Sequence, residues 1–219
     1  MKINELIDHT LLKADAVNKD IIKLCKEAKK FLFKSVCVNP NFISLAKKEL
    51  DKTNIKICTV ISFPLGAMTK EAKIFEAEDA IDKGADEIDM VINISRVKDH
   101  DYEYVEDEIK KIREVTKKKG IILKVILETC LLTKEEIIET SLICKKLKVD
   151  FVKTSTGFSK NGATTENVNL IRKTVGNKIG VKASGGIHNY DEAINMIKSG
   201  ANRIGTSSGV TILSSKKNE

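Results

Sequence analysis

The sequence predicts an α/β fold, a (β/α)8 TIM barrel with a closed parallel sheet, and three observations lead there. Apolar runs of strand length alternate with helical patterns from one end of the chain to the other. The runs are continuous rather than alternating in polarity, as in strands covered on both faces. Eight such runs with helices between them fit 219 residues as one compact barrel. A doubly wound open sheet would compete, but it would carry Gly-x-Gly-x-x-Gly after its first strand, and that pattern does not occur here.

In order, the runs cover residues 6–10 (the weakest), 35–38, 55–60, 87–92, 121–127, 151–154, 179–183 and 203–205. Between them lie amphipathic stretches such as 102–119, with Val105, Ile109, Ile112 and Val115 on one side. Thr133-x-x-Glu136 is a capping box and Asn189-x-x-Glu192 a close variant, so helices start there. Gly84, Gly120, Gly176 and Gly200 fall where helices should stop. Lys83-Gly84-Ala85-Asp86-Glu87-Ile88 is echoed by Ser199-Gly200-Ala201-Asn202-Arg203-Ile204, each reading as helix end, turn and strand. No Pro/Ser-rich or low-complexity tract divides the chain, so one domain is expected over 1–219.

Composition narrows the function. No apolar run reaches bilayer length, so no membrane partner is expected, and the start of the chain lacks signal-peptide character. Cys25, Cys37, Cys58, Cys130 and Cys144 are scattered and form no Cys-x-x-Cys pair, which reads as reduced thiols in the cytoplasm. His9, His100 and His188 stand at no zinc-ligand spacing, so no metal or cofactor is expected. The net charge of +7 suits an anionic small molecule. Nucleic acid is not expected, because most lysines alternate with acids on helix faces and 5% aromatics leaves little for bases to stack on.

Two stretches carry the chemistry: Phe151-Val152-Lys153-Thr154-Ser155-Thr156-Gly157 and Gly180-Val181-Lys182-Ala183-Ser184-Gly185-Gly186. Their lysines are 29 positions apart, about one strand–helix–strand unit, so neighbouring strands end in two lysines that face one cleft. A second cation disfavours protonation of the first, and a neutral amine is a nucleophile toward carbonyls. Asp89 lies inside an apolar run, where an unpaired carboxylate is costly, and it offers the lysines a counter-charge. Asp86 and Glu87 precede that run and read as solvated groups at the barrel bottom. Lys124 either joins the charged network or pairs with Glu128. Cys37 reads as a small buried hydrophobe, His9 as structural, and 62–66 as a rigid turn. Gly185 and Gly186 after the seventh run, Ser207 and Ser208 after the eighth, and Gly157 after the sixth suit backbone-amide binding of a phosphate.

Taken together, these motifs resemble the deoxyribose-phosphate aldolase family along nearly the whole chain. Ile7-Asp8-His9-Thr10-Leu11-Leu12, Val36-Cys37-Val38-Asn39-Pro40, Phe63-Pro64-Leu65-Gly66, the Asp89 and Lys124 runs, both lysine segments and Gly205-Thr206-Ser207-Ser208 carry the likeness. The resemblance implies a metal-free class I aldolase that reversibly cleaves 2-deoxy-D-ribose 5-phosphate to acetaldehyde and D-glyceraldehyde 3-phosphate. Lys153 would be the Schiff-base nucleophile, with Asp89 and Lys182 serving proton transfer and tuning Lys153. Gly157, Gly185, Gly186, Ser207 and Ser208 fall where the family grips the phosphate. The expected partners are a phosphorylated sugar and aldehydes, and a homodimer is compatible with the sequence. Phe158 stands where some members carry lysine, Ser62 and Ser95 where glycine is common, and the chain ends at 214–219 without the tyrosine that assists proton transfer in some members. The alternatives are another Schiff-base sugar-phosphate aldolase, a transaldolase-like barrel, or a basic barrel that binds phosphorylated ligands or RNA without catalysis.

Overall fold

Eight parallel strands hydrogen-bond in sequence order and the last pairs with the first, closing a barrel in the computed structural model, which describes residues 2–215. The strands are β1 (Ile7–Leu11), β2 (Ser35–Val38), β3 (Lys56–Ile61), β4 (Glu87–Val91), β5 (Ile122–Ile126), β6 (Phe151–Lys153), β7 (Gly180–Ser184) and β8 (Arg203–Thr206). Nine helices surround them among the described residues: α1 (Asn18–Phe31), α2 (Ile43–Glu49), α3 (Lys70–Lys83), α4 (Ile94–Lys98), α5 (Tyr102–Lys118), α6 (Lys134–Lys146), α7 (Thr165–Val175), α8 (Tyr190–Lys198) and α9 (Gly209–Ser214). The chain end from 216 to 219, part of the stretch without a tyrosine, lies outside the described residues.

Local signals in the sequence become hydrogen bonds. Thr133 and Asn189 cap α6 and α8, and Glu136 and Glu192 reach back to the cap residues' N–H groups. Gly84 ends α3 with φ 106°, a left-handed conformation that costs glycine little. The helices bury apolar stripes against the outside of the sheet; on α5 these are Val105, Ile109 and Ile112. Outside the barrel, Lys73 of α3 and Glu108 of α5 form a fully buried ion pair at 2.7 Å. Lys73 also donates to Val91 O at 2.9 Å, and Glu108 accepts from Asn93 N at 3.0 Å.

The interior differs from the branched aliphatic layers common in such barrels. Charged side chains from β1, β4, β5, β6, β7 and β8 fill much of it, and the sheet is the scaffold that lines them up. The two echo segments show how. Asp86 and Asn202 each accept a backbone N–H from the preceding strand, from Ile57 at 2.9 Å and Val181 at 2.8 Å. The next residues, Glu87 and Arg203, turn inward and pair at 2.8 Å. Glu87 is therefore fully buried, not solvated, because Arg203 enters the barrel from β8 to meet it. Asp86 does stay at the barrel bottom, partly exposed beside Lys56. Arg203 also stacks on the Phe151 ring at 5.0 Å, and any Cβ at Gly180 would lie 2.2 Å from that ring.

Candidate active site

Register brings the sequence-predicted lysines side by side. Lys153 and Lys182 are direct neighbours on β6 and β7, and Asp89 is the neighbour of Lys124 on β4 and β5. All four side chains point into the barrel and meet at one carboxylate. Lys153 Nζ and Lys182 Nζ both donate to Asp89 Oδ2, at 2.8 and 2.7 Å, while Lys124 Nζ donates to Oδ1 at 2.7 Å. Lys124 thus joins the network, and its other close carboxylate is Glu87 at 2.6 Å rather than Glu128. Glu128 lies beyond the end of β5, where its side chain turns to Thr156.

Arg203 and Asp8 are the members to which sequence reasoning gave no place in this network, and Asp8 joins Arg203 to Lys182. Its Oδ2 lies 2.6 Å from Lys182 Nζ, and its Oδ1 accepts from Arg203 at 2.7 Å and from the Ser35 hydroxyl at 2.7 Å. The available signal was the echo that aligned Glu87 with Arg203, because a cation so far inside requires carboxylates nearby.

Burial dominates the electrostatics, and the ion pairs reverse it. Burial alone would push the Asp89 carboxyl up, yet the Lys124, Lys153 and Lys182 ammonium groups hold it well below the usual carboxylate range. Asp8 is likewise held down against its burial by Lys182 and Arg203. Burial would lower Lys182, but Asp8 and Asp89 outweigh that and raise it. Lys124 is raised in the same way, chiefly by Asp89. Three carboxylates (Asp8, Glu87, Asp89) thus face four bases (Lys124, Lys153, Lys182, Arg203). Lys153 touches a single carboxylate, whereas each of the other three bases touches at least two.

Lys153 is also the lysine of this network that reaches a cavity, of about 360 Å³, at the carboxyl ends of the strands. Gly157, Gly185, Gly186 and Ser207 line the same cavity. Among the described residues, nothing accepts a hydrogen bond from the N–H groups of these four. Gly185 and Gly186 both have positive φ, 82° and 74°, the left-handed region that favours glycine. Ser208 is not part of the lining; its hydroxyl faces His188 Nδ1 at 3.4 Å. Thr10, Lys13 and His188 line the cavity without having been singled out for it in the sequence. Phe158 lines it as well, half-exposed and edge-on to Phe63 at 5.2 Å between ring centroids.

Cys37 is buried in a small apolar cluster with Leu12, Cys58 and Val60, as a small hydrophobe should be. His9 is buried against Phe33, and its Nε2 meets Glu27 at 2.8 Å. Two buried groups bring metal-ligand atoms together, Cys37–Cys58–Asp89 and Asp8–Cys58–Glu87. Lysine and arginine nitrogens already sit 2.6–2.8 Å from carboxylate oxygens of both groups, where a metal cation would have to bind.

A (β/α)8 barrel whose cavity is lined by a lysine of a buried ionic network and by unpaired glycine amides defines a class, the lysine-bearing barrels with backbone amides free for an anion. Within it, the chain belongs to the DeoC/LacD family of aldolases, whose family model matches residues 3–215. It is 57% identical to a deoxyribose-phosphate aldolase of Finegoldia magna over 97% of this chain and 99% of that one. A deoxyribose-phosphate aldolase of Clostridium tetani is 53% identical over 99% of this chain and 100% of its own. Among solved structures, deoxyribose phosphate aldolase from Aeropyrum pernix superposes with a TM-score of 0.91 at 33% identity, covering 97% of this chain and 90% of that one.

Proposed function

We propose that this aldolase reversibly cleaves 2-deoxy-D-ribose 5-phosphate to acetaldehyde and D-glyceraldehyde 3-phosphate through a Schiff base on Lys153. The observation that carries this reading is the position of Lys153: the base with fewest carboxylate contacts in the buried network, and the lysine of that network lining the cavity. One proton more than the carboxylates balance is present when all four bases are charged. Releasing it from Lys153 leaves three cations against three anions and frees a lone pair where a substrate can reach it.

The amine adds to C1 of the open-chain aldehyde, and water leaves to give a protonated imine. That cation withdraws electrons as the C2–C3 bond breaks. The 3-hydroxyl proton leaves through water as glyceraldehyde 3-phosphate forms, and the electron pair remains as an enamine. Reprotonation at C2 and hydrolysis of the imine release acetaldehyde and restore Lys153. Asp89, held far on its ionised side, is a weak base; its part is to steady the cationic imine and orient Lys182. Lys182 supplies fixed positive charge beside the nucleophile. The amides of Gly157, Gly185, Gly186 and Ser207 receive the phosphate, with Ser208 just behind them.

The free thiols fit a cytoplasmic enzyme, and among the described residues no helix is long and apolar enough to cross a membrane. Leu65 and Phe75, 74% and 72% exposed, offer apolar surface for a homodimer, which light scattering tests; the Aeropyrum pernix relative is described as a tetramer. The decisive test is borohydride reduction in the presence of 2-deoxyribose 5-phosphate and EDTA, followed by peptide mass spectrometry. An adduct on the Lys153 peptide, absent in Lys153→Ala, is expected. A folded enzyme that turns over this substrate with no such adduct overturns the Schiff-base assignment.

A further inference from the structure

Glu128 stands two residues beyond the end of β5 with φ 58° and ψ 62°, a left-handed conformation that side chains with a Cβ rarely adopt. The side chain is 98% buried, since its exposure is 2%. Both carboxylate oxygens face Thr156, whose backbone N–H lies 3.3 Å from each. The Thr156 hydroxyl donates to Oε2, and its oxygen in turn accepts the Phe158 N–H at 3.0 Å. A carboxylate–hydroxyl–amide chain therefore folds residues 156–158 into a turn.

That turn presents Gly157, φ 85°, to the other glycine loop: a Cβ on Gly157 would lie 3.9 Å from Gly185 Cα. The two loops are joined again nearby, where Ala163 N donates to Ser184 O and Gly185 O, each at 3.0 Å. The direction of the unpaired Gly157 amide thus depends on Glu128 through Thr156, although Glu128 itself does not line the cavity. We infer that Glu128 is a positioning residue that sets the enzyme's preference for a phosphorylated substrate by holding the 156–158 turn against the Gly185 loop.

This inference rests on the aldolase reading above, and its test separates the two. Steady-state constants are measured for 2-deoxyribose 5-phosphate and for 2-deoxyribose in the wild type, Glu128→Ala, Glu128→Gln and Thr156→Val. The expected result is a preference for the phosphorylated sugar, as a ratio of kcat/KM, that falls about tenfold in Glu128→Ala and Thr156→Val, the effect of one misdirected charge-assisted hydrogen bond. Most of the fall should lie in KM, with kcat little changed. Glu128→Gln, which keeps the shape and an acceptor oxygen, should retain most of the preference. Equal losses on both sugars, or an unchanged ratio, overturn the inference. If Glu128→Ala does not fold, Thr156→Val and Glu128→Gln decide by the same criterion. A wild type that cleaves neither sugar defeats the aldolase reading instead.

Discussion

Lys153 and Lys182 share a single oxygen, Oδ2 of Asp89, at 2.8 and 2.7 Å. The two ammonium groups thus compete for one counter-charge, and Lys182 has Asp8 as a second partner that Lys153 lacks. Replacing Lys182 by leucine removes the competitor as well as the neighbouring positive charge, so Asp89 binds the Lys153 ammonium more firmly. Activity in Lys182→Leu should fall about 100-fold or more, as for other preorganised charges, and its rise with pH should move to higher pH. A pH–rate profile that keeps its shape and position would remove the like-charge argument.

The same network makes an acid-stability prediction. Asp8 and Asp89 are held lower in the folded protein than in the unfolded chain, so the folded state binds fewer protons. Their contribution is complete above the unfolded aspartate range, about pH 4, and is lost as pH falls below it toward the folded values. Urea midpoints should therefore hold steady from neutral pH to about pH 4 on this account and drop below it. Asp8→Asn should lower the midpoint at neutral pH, because Lys182 and Arg203 each lose a buried partner, and should make the acid drop shallower. Identical acid slopes in the two proteins would show that Asp8 is not a source of the drop.

The strands were legible because a strand covered on both faces reads as an unbroken apolar run, and β4 and β5 start and end within a residue of those runs. β1 was the weak one for a physical reason: Asp8, His9 and Thr10 are polar at its centre, and Asp8 is buried by partners that sequence cannot show. Lys153 and Lys182 stand out in the sequence because a charge at the end of an apolar run conflicts with its surroundings, and Asp89 because it lies inside such a run. Glu87 was misplaced because a charge at the start of a strand looks the same whether water or Arg203 receives it. Glu128 was invisible as an anchor, since its direction follows from a left-handed backbone that no local residue pattern announces.

The buried Lys73–Glu108 pair makes a contrasting case, because its members do not escape the cost of burial. Burial pushes the Glu108 carboxyl up and the Lys73 ammonium down, each only partly offset by the other. Glu108→Leu alone leaves a buried ammonium with little besides Val91 O, and should cost about 3–5 kcal/mol. The double variant Lys73→Met/Glu108→Leu should be clearly more stable than that single variant. A double-mutant cycle by urea unfolding checks this, and additive losses would contradict it.

Phe158 tests the phosphate end of the cavity from another side. It follows Gly157, is 54% exposed, and lines the cavity with apolar surface while its ring meets Phe63 edge-on. A lysine there would bring an ammonium group near the proposed phosphate position, with its stem replacing part of the ring. Phe158→Lys should lower KM for 2-deoxyribose 5-phosphate severalfold at low salt, and less at high salt, because an exposed charge pair is screened. KM for unphosphorylated 2-deoxyribose should not improve. Losing the aromatic pair should cost about 0.5–1.5 kcal/mol of stability, measurable by the same urea titration. A KM for the phosphorylated sugar that ignores both the substitution and the salt would place Phe158 beyond the phosphate's reach, and the phosphate would then be held by the Gly185 and Ser207 side of the cavity alone.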